Sequence, residues 1–139
     1  MSFTGHIDIY LHQDLQNDEA VELINCYLNN GWTINDNGKI TYFIGKDYDF
    51  QSAELENKAP IINLLKGAIH NKTVCGITMF DAAENTGGEL IFHDTTHLSF
   101  SISINKKYTD DTVFDYDFYI KRLAPCLTDK ISSISCHFE

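Results

Sequence analysis

Between His97 and Ile104 the chain alternates without a miss. Leu98, Phe100, Ile102 and Ile104 occupy one phase, and Ser99, Ser101 and Ser103 the other. A strand shows successive side chains to opposite faces, so this run calls for a sheet with one face on a core and the other left polar. Residues 6 to 12 repeat the pattern, with Ile7, Ile9 and Leu11 inward and His6, Asp8, Tyr10 and His12 outward. Thr73 to Phe80 is apolar in both phases (Val74 and Phe80; Cys75, Ile77 and Met79), as suits a central strand.

The other elements follow from local signals. Trp32–Asn35 and Lys39–Ile44 flank Asp36-Asn37-Gly38, a hairpin signal. Glu89–His93 and Ser133–Phe138 read as further strands, and the polar stretch from Gly45 to Lys58 reads as a loop. A first helix begins at Asn17-Asp18-Glu19, where acids suit the macrodipole. It carries Val21, Ile24 and Leu28, flanked by Leu23 and Tyr27, and stops at Asn29-Asn30-Gly31. Pro60 opens a second helix with Ile61, Leu64, Leu65, Ala68 and Ile69 at helical spacing. The third begins near Asp115, aligns Tyr116, Tyr119, Ile120 and Leu123, and ends or kinks at Pro125.

The order β-α-β-β-α-β-β-β-α-β predicts a single α+β domain over residues 1–139, with about seven strands and three helices. The sheet is expected to be mixed or mostly antiparallel, with the helices on one face. The first six elements also match the split βαβ arrangement of ferredoxin-like folds, and that topology stays open.

Charge limits the partners. Twenty Asp and Glu face ten Lys and Arg, a net −10 at pH 7, and Arg122 is the only arginine. Residues 1–38 carry six acids and residues 73–105 four, with no Lys or Arg in either segment. Such a field repels nucleic acid and anionic membranes and steers a basic partner, although acidity also simply keeps a small protein soluble. The start Met1-Ser2-Phe3-Thr4-Gly5-His6 shows no signal-peptide pattern, and no apolar run nears the ~18 residues of a membrane span. Cys26, Cys75, Cys126 and Cys136 follow no framework spacing and mostly sit in apolar periodic segments, so reduced cysteines and a cytoplasmic location are expected.

Enzyme motifs are absent: no GxGxxG, Walker, GxSxG or HExxH pattern occurs. His93 and His97 bracket a turn on the serine-bearing face, but two imidazoles are too few for a zinc site. Neither a metal nor another cofactor is expected. Cys136 and His137, consecutive on a strand, point to opposite faces and do not pair; Cys136 shares the phase of Ile134 and Phe138, which makes it a core residue. Asp-Tyr-Asp-Phe occurs twice, at residues 47–50 and 115–118, the second beside Asp110 and Asp111. Carboxylates beside aromatic rings suit a surface that meets a basic protein. Asp47, Tyr48, Asp49, Asp110, Asp111, Asp115 and Asp117 are therefore the expected partner-binding residues. The alternative is that these acids start helices and turns while the rings anchor the core.

With the strand Gly87-Gly88-Glu89-Leu90-Ile91-Phe92 followed by Leu98-Ser99-Phe100-Ser101-Ile102-Ser103-Ile104-Asn105, the whole chain resembles a small bacterial immunity protein of contact-dependent growth-inhibition or other polymorphic toxin systems. The likeness is one of type: short, acidic, α+β, rich in Tyr and Asp, without catalytic motifs. It implies a binding protein that occludes the active site of a basic toxin domain, often a nuclease, and assigns no role to any residue. A small enzyme or ligand-binding domain and an adaptor subunit of a complex remain the alternatives.

Overall fold

The computed structural model of the chain describes residues 4–110 and 113–138. Eight strands form one sheet: β1 (Gly5–Leu11), β2 (Trp32–Thr33), β3 (Lys39–Ile44), β4 (Gln51–Glu54), β5 (Cys75–Asp81), β6 (Gly87–Phe92), β7 (His97–Ile104) and β8 (Ile131–Phe138). Three helices accompany them: α1 (Glu19–Asn29), α2 (Lys58–His70) and α3 (Tyr116–Leu123). The strand order is β4-β3-β5-β6-β7-β1-β8, with β2 also paired to β5, and every pairing is antiparallel. This is the α+β domain expected.

Three details depart from the expectation. Part of the stretch read as a loop forms β4, which pairs Gln51–Glu54 with Tyr42–Lys39. Its four residues, QSAE, lack an apolar phase, so periodicity gives no sign of it. The ferredoxin-like topology is not adopted, because β1 lies between β7 and β8 rather than beside the strands that follow α1. Strand β8 takes an edge, which leaves Cys136 exposed and Phe138 59% exposed instead of in the core.

The inward phases of the strands meet the helices in one core containing Ile7, Ile9, Leu90, Phe92, Leu98, Phe100 and Ile102. Helix α1 buries Ala20, Leu23, Ile24 and Tyr27, at the i, i+3, i+4, i+7 spacing of one helical face. In α2, Ile62 joins Ile61, Leu65, Ala68 and Ile69 in the core, while Leu64 is 52% exposed. At the predicted hairpin, Asn37 and Gly38 both take positive φ (55° and 87°) and Asp36 pairs with Lys39, as a tight two-residue turn demands. Gly87-Gly88 serves close approach of strands: a Cβ on Gly88 would lie 1.7 Å from the Ser101 carbonyl oxygen.

Polar anchors join α1 and β2 to the end of α3. The buried Tyr27 hydroxyl donates to the Leu123 carbonyl at 2.9 Å, and Trp32 Nε1 donates to the Arg122 carbonyl at 3.2 Å. Arg122 reaches Asp81 with Nε at 2.9 Å and lies 3.6 Å over the Phe118 ring. At the same junction Cys26 and Cys126 form a disulfide, which corrects the expectation of four reduced cysteines. The two residues lie 100 apart in sequence, and no local spacing rule detects such a pair.

Candidate functional site

Among the described residues no helix lines the outward face of β6, β7, β1 and β8, and strand register fixes what meets there. Asp8 of β1 lies opposite Ser99 of β7 and Ser135 of β8, and His6 lies opposite Ser101 and His137. On the other side of β7, Glu89 and Ile91 oppose Ser101 and Ser99. The short serines of β7 therefore form the floor between two rows of larger side chains. At the far wall the segment after β3 folds back over the sheet, where Tyr48 and Phe50 pack on buried Phe43, their ring centroids 4.8 and 5.2 Å from its own. Phe43 fits because Gly76, opposite it on β5, has no side chain: a Cβ there would stand 2.5 Å from the Phe43 ring. The resulting concavity, about 460 Å³, is lined by His6, Asp8, Tyr48, Phe50, Glu89 and His93 among others, and by no Lys or Arg among the described residues.

Each serine of the floor holds one titratable group. Ser99 Oγ bonds His93 Nε2 at 2.8 Å, Ser101 Oγ bonds His6 Nδ1 at 3.1 Å, and Ser103 Oγ donates to Glu89 at 2.9 Å. Asp8 gathers two more imidazoles, with His97 Nε2 2.8 Å from Oδ1 and His137 Nδ1 3.3 Å from Oδ2. The rings stack in turn: His93 on His97 at 4.3 Å, Tyr10 on His97 at 4.4 Å, and His6 on His137 at 5.0 Å.

Burial, and then the neighbouring His97, hold the His93 imidazole below the usual histidine range, which favours the neutral ring. Burial pushes the Glu89 carboxyl up, against the opposing bond from Ser103. A carboxyl whose folded pKa is raised contributes stability below its unfolded value, ~4.3, and loses it as pH rises through the folded value. Glu89→Gln keeps the shape and the acceptor for Ser103, so it is expected to unfold at a higher temperature than the parent at pH 7. The difference should shrink as pH falls toward 4. Thermal unfolding across that range checks this, and a variant less stable than the parent at pH 7 would refute it.

The expected partner-binding residues divide. Tyr48 lines the concavity, and Asp47 and Asp49 flank it, exposed and in no ion pair among the described residues. The second Asp-Tyr-Asp-Phe copy has structural work instead. Asp115 caps α3 by accepting from the Phe118 N–H at 3.1 Å, Asp117 pairs with Lys121 at 2.9 Å, and Phe118 carries the Arg122 guanidinium. Asp110 accepts from the Val113 N–H at 3.2 Å, and Asp111 lies outside the described residues. None of Asp110, Asp115 and Asp117 lines the concavity. Cys136 and His137 do point to opposite faces, opposite Ile7 and His6 respectively, and burial followed by the Asp8 charge raises the Cys136 thiol, the reverse of an activated nucleophile.

Sequence reasoning found the His93 and His97 pair but did not bring Asp8, His6 or His137 to it. The outward phases of residues 6–12 and 97–104 held the signal, usable only once β1 and β7 are known to be neighbours. No helix among the described residues is long and apolar enough to cross a membrane. Comparison with known protein families, with curated proteins and with solved structures finds no match to this chain.

Proposed function

We propose that this protein is an immunity-type inhibitor that binds a basic toxin domain, a nuclease being the fitting class, and occludes its active site with the open face of its sheet. One observation carries the reading: the concavity combines Asp8, Glu89, exposed aromatic rings and a flanking Asp47 and Asp49, with no lysine or arginine among its lining residues. Six of the ten cations are spent elsewhere. Lys39, Lys66, Lys107, Lys121, Arg122 and Lys130 pair with Glu54, Asp18, Glu84, Asp117, Asp81 and Glu19, and none of these six pairs lines that face. A basic surface placed there meets the Asp8 and Glu89 carboxylates together with the exposed rings of Tyr48 and Phe50, aromatic residues being among the types that anchor interfaces.

The test is co-purification from the native operon followed by reconstitution with any basic domain that comes down with the chain, and recovery of no such domain would refute the reading. A stoichiometric complex and loss of toxin activity are expected. The on-rate should fall steeply from low to physiological salt while the off-rate changes little, because screening acts on the encounter. A flat on-rate would leave the net −10 charge a matter of solubility alone. The same reading carries a cytoplasmic location, and against it stands the Cys26–Cys126 bond, of a kind that persists in oxidising compartments. Trapping thiols at the moment of lysis separates the two, since four free thiols mark a reducing compartment.

A further inference from the structure

The histidines gathered on the open face have a geometry that the inhibitor reading does not require. We infer that Asp8, His93 and His97 form a binding site for one divalent transition-metal ion of the zinc class, with the remaining coordination positions open to the concavity. The inference stands on the side-chain geometry and is independent of any protein partner.

One ligand atom from each of the three residues lies within 4.8 Å of the others, and the closest pair, Asp8 Oδ1 and His97 Nε2, is 2.8 Å apart. Zinc bonds of about 2.0–2.2 Å place neighbouring donor atoms some 3–3.5 Å apart, so His93 has at most about 1.3–1.8 Å to close, within reach of a side-chain rotation. Two imidazoles and one carboxylate are a donor set that suits zinc, iron and nickel in preference to calcium or magnesium, whose sites are built from oxygen. Three protein ligands leave at least one position for water or another group, the arrangement of an open site and not a closed structural one.

The surroundings hold the ligands as the outer shell of a metal site does. His137 holds the second oxygen of Asp8, and the first, which lies 2.8 Å from His97 Nε2, faces the other proposed ligand. Ser99 bonds His93, and the Tyr10 ring stacks on His97. The three ligands come from β1, from the residue after β6 and from the first residue of β7, elements fixed by sheet pairing and by the His93 N–H bond to the His97 carbonyl at 2.9 Å. A loop cluster of acids would lack that rigidity.

Calorimetric titration of tag-free protein with Zn²⁺, and the visible absorption of bound Co²⁺, test the site. The parent is expected to bind one equivalent, with a Co²⁺ spectrum of low coordination number. His93→Ala, His97→Ala and Asp8→Asn should each weaken Zn²⁺ binding at least roughly tenfold, the lower end of what even an outer-shell loss costs. Asp8→Asn is nearly isosteric, so it reports on ligation even if an alanine variant folds poorly. His12→Ala and Cys136→Ser, which remove an exposed imidazole and an exposed thiol off the site, should bind as the parent does. The inference fails if the parent takes up no stoichiometric Zn²⁺, if Asp8→Asn binds unchanged, or if Cys136→Ser abolishes binding.

Discussion

Reduction of the Cys26–Cys126 bond is expected to lower the unfolding free energy by about 4.7 kcal/mol, the value for a closed loop near 100 residues. The effect arises in the unfolded chain, where the bond removes the entropy of a loop running from α1 to the turn after α3. That is a large share of the roughly 5–15 kcal/mol that holds an ordinary domain folded. The reduced protein should still fold at 25 °C, because the Tyr27 bond to Leu123 and the Trp32 bond to Arg122 hold the same junction. Urea unfolding with and without reductant measures the difference. The midpoint should drop, and the slope should rise as the reduced unfolded chain exposes more surface. A Cys26→Ser, Cys126→Ser double variant should match the reduced parent and ignore reductant. Alkylation supplies an independent count. In the native, unreduced protein only exposed Cys136 should react, since Cys75 is buried with its thiol pushed up to about 12. Coincident urea curves would mean that the bond contributes nothing.

The elements with strong periodicity were legible because their burial is a matter of local phase. Ile7, Ile9, Leu98, Phe100 and Ile102 all reach the core from the faces their alternation assigns. What could not be read is what depends on pairing. The partner of Cys26, the edge position of β8 and the meeting of Asp8 with His97 and His137 all follow from strand order, and strand order is set by the whole core. The repeated Asp-Tyr-Asp-Phe shows the limit from the other side. Identical strings take different roles because one follows the end of β3 and packs its rings on Phe43, while the other begins a helix and uses its first carboxylate as a cap. Local sequence offers the same residue types in both places; context selects between surface and cap.

Replacing Asp47 and Asp49 together by Asn is expected to weaken binding of the proposed basic partner about a thousandfold while barely touching the fold. Both carboxylates are exposed and form no ion pair among the described residues, so folding gains little from their charge. Surface substitutions of that kind stay within about 0.5 kcal/mol in stability. At a desolvated interface, a carboxylate facing a cation costs about 2 kcal/mol or more when its charge is removed, and each 1.4 kcal/mol is a factor of ten. The second copy provides the internal comparison. Asp115→Ala removes a helix cap and should cost about 1 kcal/mol of stability, yet Asp115 does not line the concavity, so binding should remain close to the parent's. The two variants thus predict opposite patterns, affinity lost with stability kept and stability lost with affinity kept. Urea unfolding and equilibrium binding measured on the same preparations read both. Should the Asp47→Asn, Asp49→Asn variant bind as tightly as the parent, the flanking carboxylates are not the contact and the basic partner docks elsewhere.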